Sequence, residues 1–448
     1  MSEPIISVSG LRGILGAQLT PLVAARYIAA FASTLRSGKV VVGRDGRGSG
    51  QMLAQIVSAT LSALGWEAID VGIAATPTVG LQVKQQGAVG GVQISASHNP
   101  KQYNGLKLFS SEGRVLSQGL GEQVLAAYRE GNCRWVGVEE LGPLTQLADP
   151  HTDHAQRVLG TVDEVAIGRK AFRVLLDSNH GAGSLLGRIL LERLGCQFTI
   201  LGDTPDGNFD HPPEPLAENL RSVCAAIRET KSQVGFCQDP DADRLAVIDE
   251  RGQYIGEELT LALCLLQALP QRTGAVVTNC ATSGLAGGIV GQLGGRLLQS
   301  AVGEAHVADL MIAEQAVFGG EGNGGPIDPQ VGYVRDSFVG MARILDLLAR
   351  EGDTISSVVA RLPPLSMVKD KIELPASDLP RLQEMLVGEF GDAAVSRQDG
   401  LKLQWADRWL LVRGSNTEPI VRLIAEAPSH TLAQSLCDRA RDLAQGLR

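Results

Sequence analysis

The sequence predicts an α/β protein built from three successive α/β units and a smaller α+β unit at the C-terminus. Three observations carry that prediction. Apolar strand patterns alternate with helix patterns up to about residue 365, as expected of parallel sheets covered on both faces. The pattern restarts twice, and each unit ends on an apolar strand that delivers a loop rich in Gly, Asp or Ser: QISASHNP, FCQDPDADR and VFGGEGNGG. From about Ser366 the texture changes to closely spaced strands followed by one helix.

In the first unit, Thr20-Pro21 reads as an N-cap with proline at the first helical position, and Gly38 follows the far end. Residues 39–43 (KVVVG) form a short apolar strand, 51–64 a helix closed by Gly65, 67–72 a second strand, and 89–95 a third running straight into SASHNP. The second unit has strands at 172–176, 198–201 and 234–237, with helices near 184–194 and 217–230. The third has strands at 275–278 and 296–302, a helix after Ser283 and another around 306–317. Strands at 371–374, 401–405, 409–412 and 420–425 and a helix from Thr431 make the last unit. Pro212-Pro213 and Pro363-Pro364 sit in connections, the second at a boundary.

At about 100–200 residues per domain, 448 residues hold more than one core. With 44% hydrophobic and 20% charged residues, burial outweighs ordering entropy and disorder is excluded. A net charge of −9 argues against nucleic acid or an anionic membrane surface as partner, because both select basic patches. No apolar run reaches the ~18–20 residues of a membrane span, and the N-terminal MSEPIISVSG lacks the pattern of an export signal. The seven cysteines are odd in number and form no C-x-x-C, which fits a reduced, cytoplasmic protein. The 53 glycines call for a separate explanation.

Four loops carry chemistry. Asp239, Asp241 and Asp243 leave an apolar strand at alternate positions, which in extended backbone puts all three on one side. Converging carboxylates are what a hard cation such as Mg²⁺ needs, and without one they repel; the simpler alternative is an Asp-rich solvated turn. Ser95-Ala-Ser97-His98-Asn99-Pro100 places a serine beside a histidine in a turn, suggesting an activated hydroxyl, although the same residues are ordinary in turns. No G-x-S-x-G elbow surrounds Ser97, so hydrolase triad chemistry is not indicated. Gly319 to Gly325 (GGEGNGG) lets backbone approach a ligand closely while Glu321 and Asn323 bond hydroxyls; a flexible loop is the plain reading. Arg413-Gly-Ser415-Asn416-Thr417-Glu418-Pro419, with Arg422 beyond, makes a phosphate cradle of forked donors, hydroxyls and an amide, unless Arg422 is a solvated edge charge.

Taken together, SASHNP with NGLK behind it, DPDADR, GEGNG and RGSNTEP, one per unit and in this order, resemble the α-D-phosphohexomutase superfamily across the whole chain. That family includes phosphoglucomutase, phosphomannomutase/phosphoglucomutase, phosphoglucosamine mutase and phosphoacetylglucosamine mutase. The resemblance implies three similar α/β domains with mixed sheets and a mobile C-terminal α+β domain around a central cleft. The domains would be 1–150 (phosphoserine), 151–253 (metal), 254–364 (sugar) and 365–448 (phosphate). Ser97 would carry a phosphoryl group, with Asp239, Asp241 and Asp243 holding Mg²⁺ and the Ser97 phosphate as a further ligand. Arg244 would position that phosphate. Arg12 in GLRG and Lys107 in NGLKL would neutralise charge or assist proton transfer near Ser97 and His98. Glu321 and Asn323 would grip sugar hydroxyls, and Arg413, Ser415, Asn416, Thr417 and Arg422 the phosphate that is not reacting.

The implied reaction interconverts hexose 6-phosphate and hexose 1-phosphate through phospho-Ser97 and a 1,6-bisphosphate that turns around in the cleft, the free bisphosphate serving as activator. Such chemistry needs in-line positioning and charge neutralisation, with Mg²⁺ as Lewis acid and template. Family members are monomers or homodimers. GEGNGG departs from the GEQSGH-like and GEMSGH-like loops of many bacterial members, with Asn323 in place of serine and Gly325 in place of histidine, and resembles archaeal-type members of mixed sugar activity. Glucosamine phosphate is the favoured substrate, phosphomannomutase/phosphoglucomutase activity the alternative, and a phosphatase or non-catalytic binder remote. Glu304 and His306 in VGEAH lie near a further substrate-contact element, with a helix-start Glu and a surface His as the simpler readings.

Overall fold

A computed structural model describes residues 4–7, 10–414 and 420–447, which form four sheets of seven, four, four and five strands. The first three share one plan. Parallel strands are covered by helices, and the strand that delivers each motif loop then pairs antiparallel with the strand that follows the loop. Thus Gly90–Ile94 returns through Tyr103–Ser110, Val234–Gln238 through Leu245–Ile248, and Phe318–Glu321 through Gly325–Ile327. Each motif is therefore a hairpin connection at the end of a sheet, which gives the three loops equivalent positions in their units. The sheets are mixed for this reason.

The strand Tyr103–Ser110 was absent from the sequence reading, which ended the first unit at SASHNP. It matters to the site because its register sets Lys107 opposite Gln93, while Gly10–Ile14 on its other edge sets Arg12 opposite Gly105. Other expected elements shift at their ends. The helix expected from 217 begins at Arg221, the strand expected to 302 stops at Ser300, and the following helix runs Glu304–Ala313. Helices Thr76–Gln85, Glu257–Ala268 and Ser337–Glu351 were not anticipated. The last is buried along most of its length.

Helices Glu257–Ala268 and Ser337–Glu351 pack in a single apolar core that runs through the second and third units. The fourth unit has its own core: helices Leu379–Glu389 and His430–Gln445 cover one face of an all-antiparallel sheet. The other face seats Trp409 and Leu411 on Cys280 of the third unit. Among the described residues, no helix is long and apolar enough to cross a membrane.

Candidate active site

The Asp-rich loop opens where Val234–Gln238 ends. Ala242 at its centre takes left-handed backbone (φ +54), so the chain reverses and Asp239, Asp241 and Asp243, all fully buried, converge. One carboxylate oxygen from each lies within 4.8 Å of the others, the one such group able to hold a metal among the described residues. Ser97, 2% exposed, brings its Oγ to 2.7 Å from Asp239 Oδ2 and 3.2 Å from His98 Nδ1. The sequence placed serine and aspartates in different units, and the structure joins them.

Whether a cation fits can be tested on the oxygens themselves. Asp241 Oδ2 accepts from Thr76 Oγ1 at 2.5 Å and Lys107 Nζ at 3.0 Å, and Asp243 Oδ2 from Lys107 Nζ at 2.8 Å and Arg335 Nη2 at 2.7 Å. Asp241 Oδ1 and Asp243 Oδ1 are buried without a hydrogen-bond partner. Asp241 and Asp243 are thus each oriented through one oxygen and keep the other free, the division expected when outer partners aim ligands at a metal. Three hard oxygen donors suit Mg²⁺.

The charges agree. Burial, then Asp241 and Asp243, push Asp239 well above the usual carboxylate range. Burial acts in the same direction on the other two, but at Asp241 Lys107 and Thr76 outweigh it, and at Asp243 Arg335, Lys107 and Arg244 do, so both lie below that range. Lys107 is held above its ordinary value because Asp241 and Asp243 overcome the effect of burial. Arg244, then burial and Arg12, drive His98 well below its usual value. Burial lowers Arg12 despite the pull of Asp241. Arg244 donates its backbone N–H to Asp239 Oδ1 at 3.1 Å, while its Nε has no hydrogen-bond partner and stands 4.0 Å from Asp243 Oδ1.

Glu321 is buried, with Oε1 accepting from Asn279 Nδ2 at 2.7 Å and Oε2 from Arg335 Nη1 at 2.9 Å. Asn323 reaches Glu321 Oε2 at 3.5 Å and keeps a buried, unpartnered Oδ1. Glycine is required at Gly324 (φ +79), where a Cβ would lie 2.2 Å from the Leu245 carbonyl, while a Cβ on Gly322 would displace the Glu258 carboxylate. The glycine-rich loop is thereby pressed against the strand leaving the Asp loop. Glu304 pairs with Arg335, accepting its backbone N–H at 3.0 Å, with Oε2 3.4 Å from its Nε.

Arg413 and Arg422 are brought to each other rather than to the aspartates. They are directly opposite on adjacent strands, Lys371 faces Arg422 on the next, and Arg413 Nε sits 3.1 Å from Asp399 Oδ2. Like charges opposite one another are unfavourable unless an anion joins them. Ser415, Asn416 and Thr417 lie outside the described residues. Sequence reasoning missed Thr76, Arg335 and Asn279. Thr76-Pro77 reads as a helix start, and nothing in VRDS or TNC marks Arg335 or Asn279 as facing the aspartates or Glu321.

Comparison with known proteins agrees over the full length. The phosphoglucomutase/phosphomannomutase alpha/beta/alpha domains I, II and III match residues 5–133, 149–252 and 257–365, and the C-terminal domain of that family matches 367–443. The chain is 33% identical over 439 residues to a "Probable phosphoglucosamine mutase" of Methanopyrus kandleri, covering 97% of this chain and 96% of that one. It is 34% identical over 441 residues to a phosphoglucomutase/phosphomannomutase of Thermococcus kodakarensis, covering 95% of each. A crystal structure of a phosphoglucomutase/phosphomannomutase family protein from Burkholderia thailandensis superposes with a TM-score of 0.86 at 27% identity, over 99% of this chain and 98% of that one. With all four domains matched and the serine, aspartate and glycine loops brought together, the chain belongs to the phosphoglucomutase/phosphomannomutase family and is a phosphohexomutase, an isomerase.

Proposed function

We propose that this chain moves a phosphoryl group between Ser97 and the O1 and O6 oxygens of a hexose phosphate, with glucosamine phosphate as the first substrate to test and a glucose or mannose phosphate as the second. The carrying observation is Ser97 Oγ at 2.7 Å from Asp239, in a cluster where Asp241 and Asp243 each keep one oxygen free. Bound to those oxygens, Mg²⁺ would polarise the phosphoryl oxygens as a Lewis acid. In the forward step the bond from Ser97 Oγ to phosphorus breaks as the sugar hydroxyl oxygen bonds to it, and the hydroxyl proton ends on Oγ, where Asp239 and His98 are within reach. The resulting 1,6-bisphosphate turns around and returns its other phosphoryl group to Ser97; free hexose 1,6-bisphosphate primes the cycle.

Lys107, Arg12 and Arg244 neutralise charge around Ser97, Glu321 and Asn323 hold sugar hydroxyls, and Arg413 and Arg422 with Ser415, Asn416 and Thr417 hold the distal phosphate. On this reading residues 1–150 supply the serine, 151–253 the carboxylates, 254–364 the sugar loop and 365–448 the distal grip. Glucosamine phosphate is favoured by the Methanopyrus relative and the alternative by the Thermococcus one.

The test is a set of parallel coupled assays on glucosamine, N-acetylglucosamine, glucose and mannose phosphates, each with its bisphosphate and Mg²⁺, alongside intact-mass analysis. We expect fastest turnover with glucosamine phosphate, one added phosphate mapping to Ser97, and loss of turnover in Ser97→Ala. Full turnover by Ser97→Ala sinks the mechanism, and faster turnover of mannose or glucose phosphate sinks the sugar assignment.

A further inference from the structure

Ser97 lies in left-handed backbone at φ +50. That conformation costs a non-glycine residue on the order of 1 kcal/mol or more, so the surroundings must impose it. Two of the groups that do so, Arg47 and Asp45, are outside the four motifs, and they act together with Ser95 of the serine loop. Arg47, 2% exposed, donates through Nη2 to the carbonyls of Ser97 and Asn99, both at 2.6 Å. Through Nη1 it donates to the carbonyls of Pro100 at 2.9 Å and Tyr103 at 3.2 Å. Its Nε reaches Asp45 Oδ2 at 3.1 Å. The same carboxylate oxygen accepts from Ser95 Oγ at 2.6 Å, and Ser95 Oγ in turn accepts the Ser97 N–H at 2.8 Å.

Ser97 is therefore fixed on both sides. Its carbonyl is held by Arg47, and its amide is held by Ser95, which Asp45 ties back to Arg47. Rotating either peptide plane, and with it the direction of Oγ, would break a charge-assisted bond or a bond tied to one. A planar fork with five donors in fixed directions suits this task, whereas an ammonium cannot span the same oxygens. The second unit closes the other side: the Arg47 guanidinium lies 5.0 Å from the Phe209 ring centroid, and a Cβ on Gly207 would stand 2.7 Å from Arg47 Cα. The unit that carries the aspartates thus also shields the group that aims the serine.

We propose that Arg47 is a positioning residue, acting through the serine-loop carbonyls and the Asp45–Ser95 bridge to keep Ser97 Oγ in line with the phosphoryl group it gives and takes. This rests on Ser97 being the phosphoryl carrier. Misplacing a reacting atom by about 1 Å costs roughly 100-fold in rate.

The experiment uses the full chain with Arg47→Ala, Arg47→Lys and Ser95→Ala. Folding is checked by thermal melting. The readouts are kcat and KM separately, the rate of Ser97 phosphorylation by hexose 1,6-bisphosphate, and Mn²⁺ affinity. In Arg47→Ala, kcat and the phosphorylation rate should fall about 100-fold, while KM and Mn²⁺ affinity stay within about threefold, with Arg47→Lys in between. Folded Arg47 variants with kcat within about threefold of wild type overturn the proposal, and so does a loss carried equally by KM or by Mn²⁺ affinity. If Arg47→Ala does not fold, Ser95→Ala decides: a fall of about tenfold in kcat at unchanged KM supports the proposal, and unchanged kcat overturns it. Wild-type turnover with no phosphate ever on Ser97 overturns the carrier reading and this one with it. A phosphorylated wild type beside indifferent variants overturns this one alone.

Discussion

Asp241 divides its two oxygens between an orienting contact and a free site, and the orienting partner comes from another unit. Thr76→Val removes that hydroxyl with little change in volume. Mn²⁺ affinity by titration should then weaken about 10–100-fold with the melting temperature little altered, and unchanged affinity would show that Thr76 does not aim the carboxylate. A second residue-scale expectation concerns pH. Burial, reinforced by Glu426 and Glu257, pushes Glu258 up to about 7 against the pull of Lys369 and the Ser283 N–H, from an ordinary value of 4.5. A folded-state value above the unfolded one means that the contribution to stability is whole below pH ~4.5 and is lost as pH rises through ~7. The loss should be on the order of 2 kcal/mol, allowing for the partial exposure of the group. Glu258→Gln should flatten that slope in melting curves between pH 4.5 and 8; an identical slope would assign it to other groups. At this scale the three aspartates stood out by their spacing behind an apolar strand, whereas Ser97 and Glu321 were singled out by the resemblance of their motifs. Thr76 and Arg335 were not, because their role exists only where another unit's chain passes beside them.

At the scale of elements, helix Ser337–Glu351 is the one whose N-terminus fixes Arg335. Asp336 caps it, Oδ1 accepting from Phe338 N at 2.9 Å and Val339 N at 3.3 Å. Its Oδ2 lies 2.7 Å from His154 Nε2, and His154 Nδ1 lies 2.9 Å from Thr78 Oγ1 in helix Thr76–Gln85. One carboxylate therefore links the starts of two helices that each present a side chain to the aspartates. Asp336→Ala removes a cap and strands a buried histidine, which together cost roughly 2–4 kcal/mol. Urea unfolding should show that loss at unchanged m, and a loss under about 0.5 kcal/mol would argue that the link carries no weight. The hairpins were half visible in the sequence. The apolar strands entering each motif were read correctly, but the returning strand Tyr103–Ser110 was hidden because NGLKLF was read as motif rather than as backbone. Helix Glu257–Ala268 escaped for the opposite reason, being apolar on too many sides to show a period.

For the whole molecule, the described residues attach the fourth unit through a small apolar patch, exposed ion pairs and a handful of hydrogen bonds, among them Val302 N to Asp399 Oδ2 at 2.9 Å and Gln398 Nε2 to the Gln299 carbonyl at 2.7 Å. Lys369 lies 3.8 Å from Glu257 and 3.5 Å from Glu258 while itself half exposed, so these pairs are worth little. Lys402 Nζ donates to the Cys280 carbonyl at 2.7 Å, and Glu426 Oε1 accepts from Gly284 N at 2.8 Å. Such a seam permits hinge closure over substrate. Small-angle scattering should show a smaller radius of gyration with sugar phosphate and Mg²⁺ than without, and an unchanged radius would count against closure. The number of units was readable because each restarts the strand–helix pattern. Their mutual arrangement was not, since no local pattern encodes which faces meet. The distribution of cores also has an evolutionary consequence. Because one core runs through the second and third units, neither can be exchanged between relatives without repacking the other. The C-terminal sheet, closed on a core of its own and resting on the third unit through a small apolar patch around Trp409 and Leu411 and a few hydrogen bonds, is a cassette. If the proposed roles hold, chimeras that graft it from a relative should fold and keep the chemistry assigned to Ser97 while inheriting the donor's grip on the distal phosphate, so recombination can retune substrate affinity without reopening the catalytic centre.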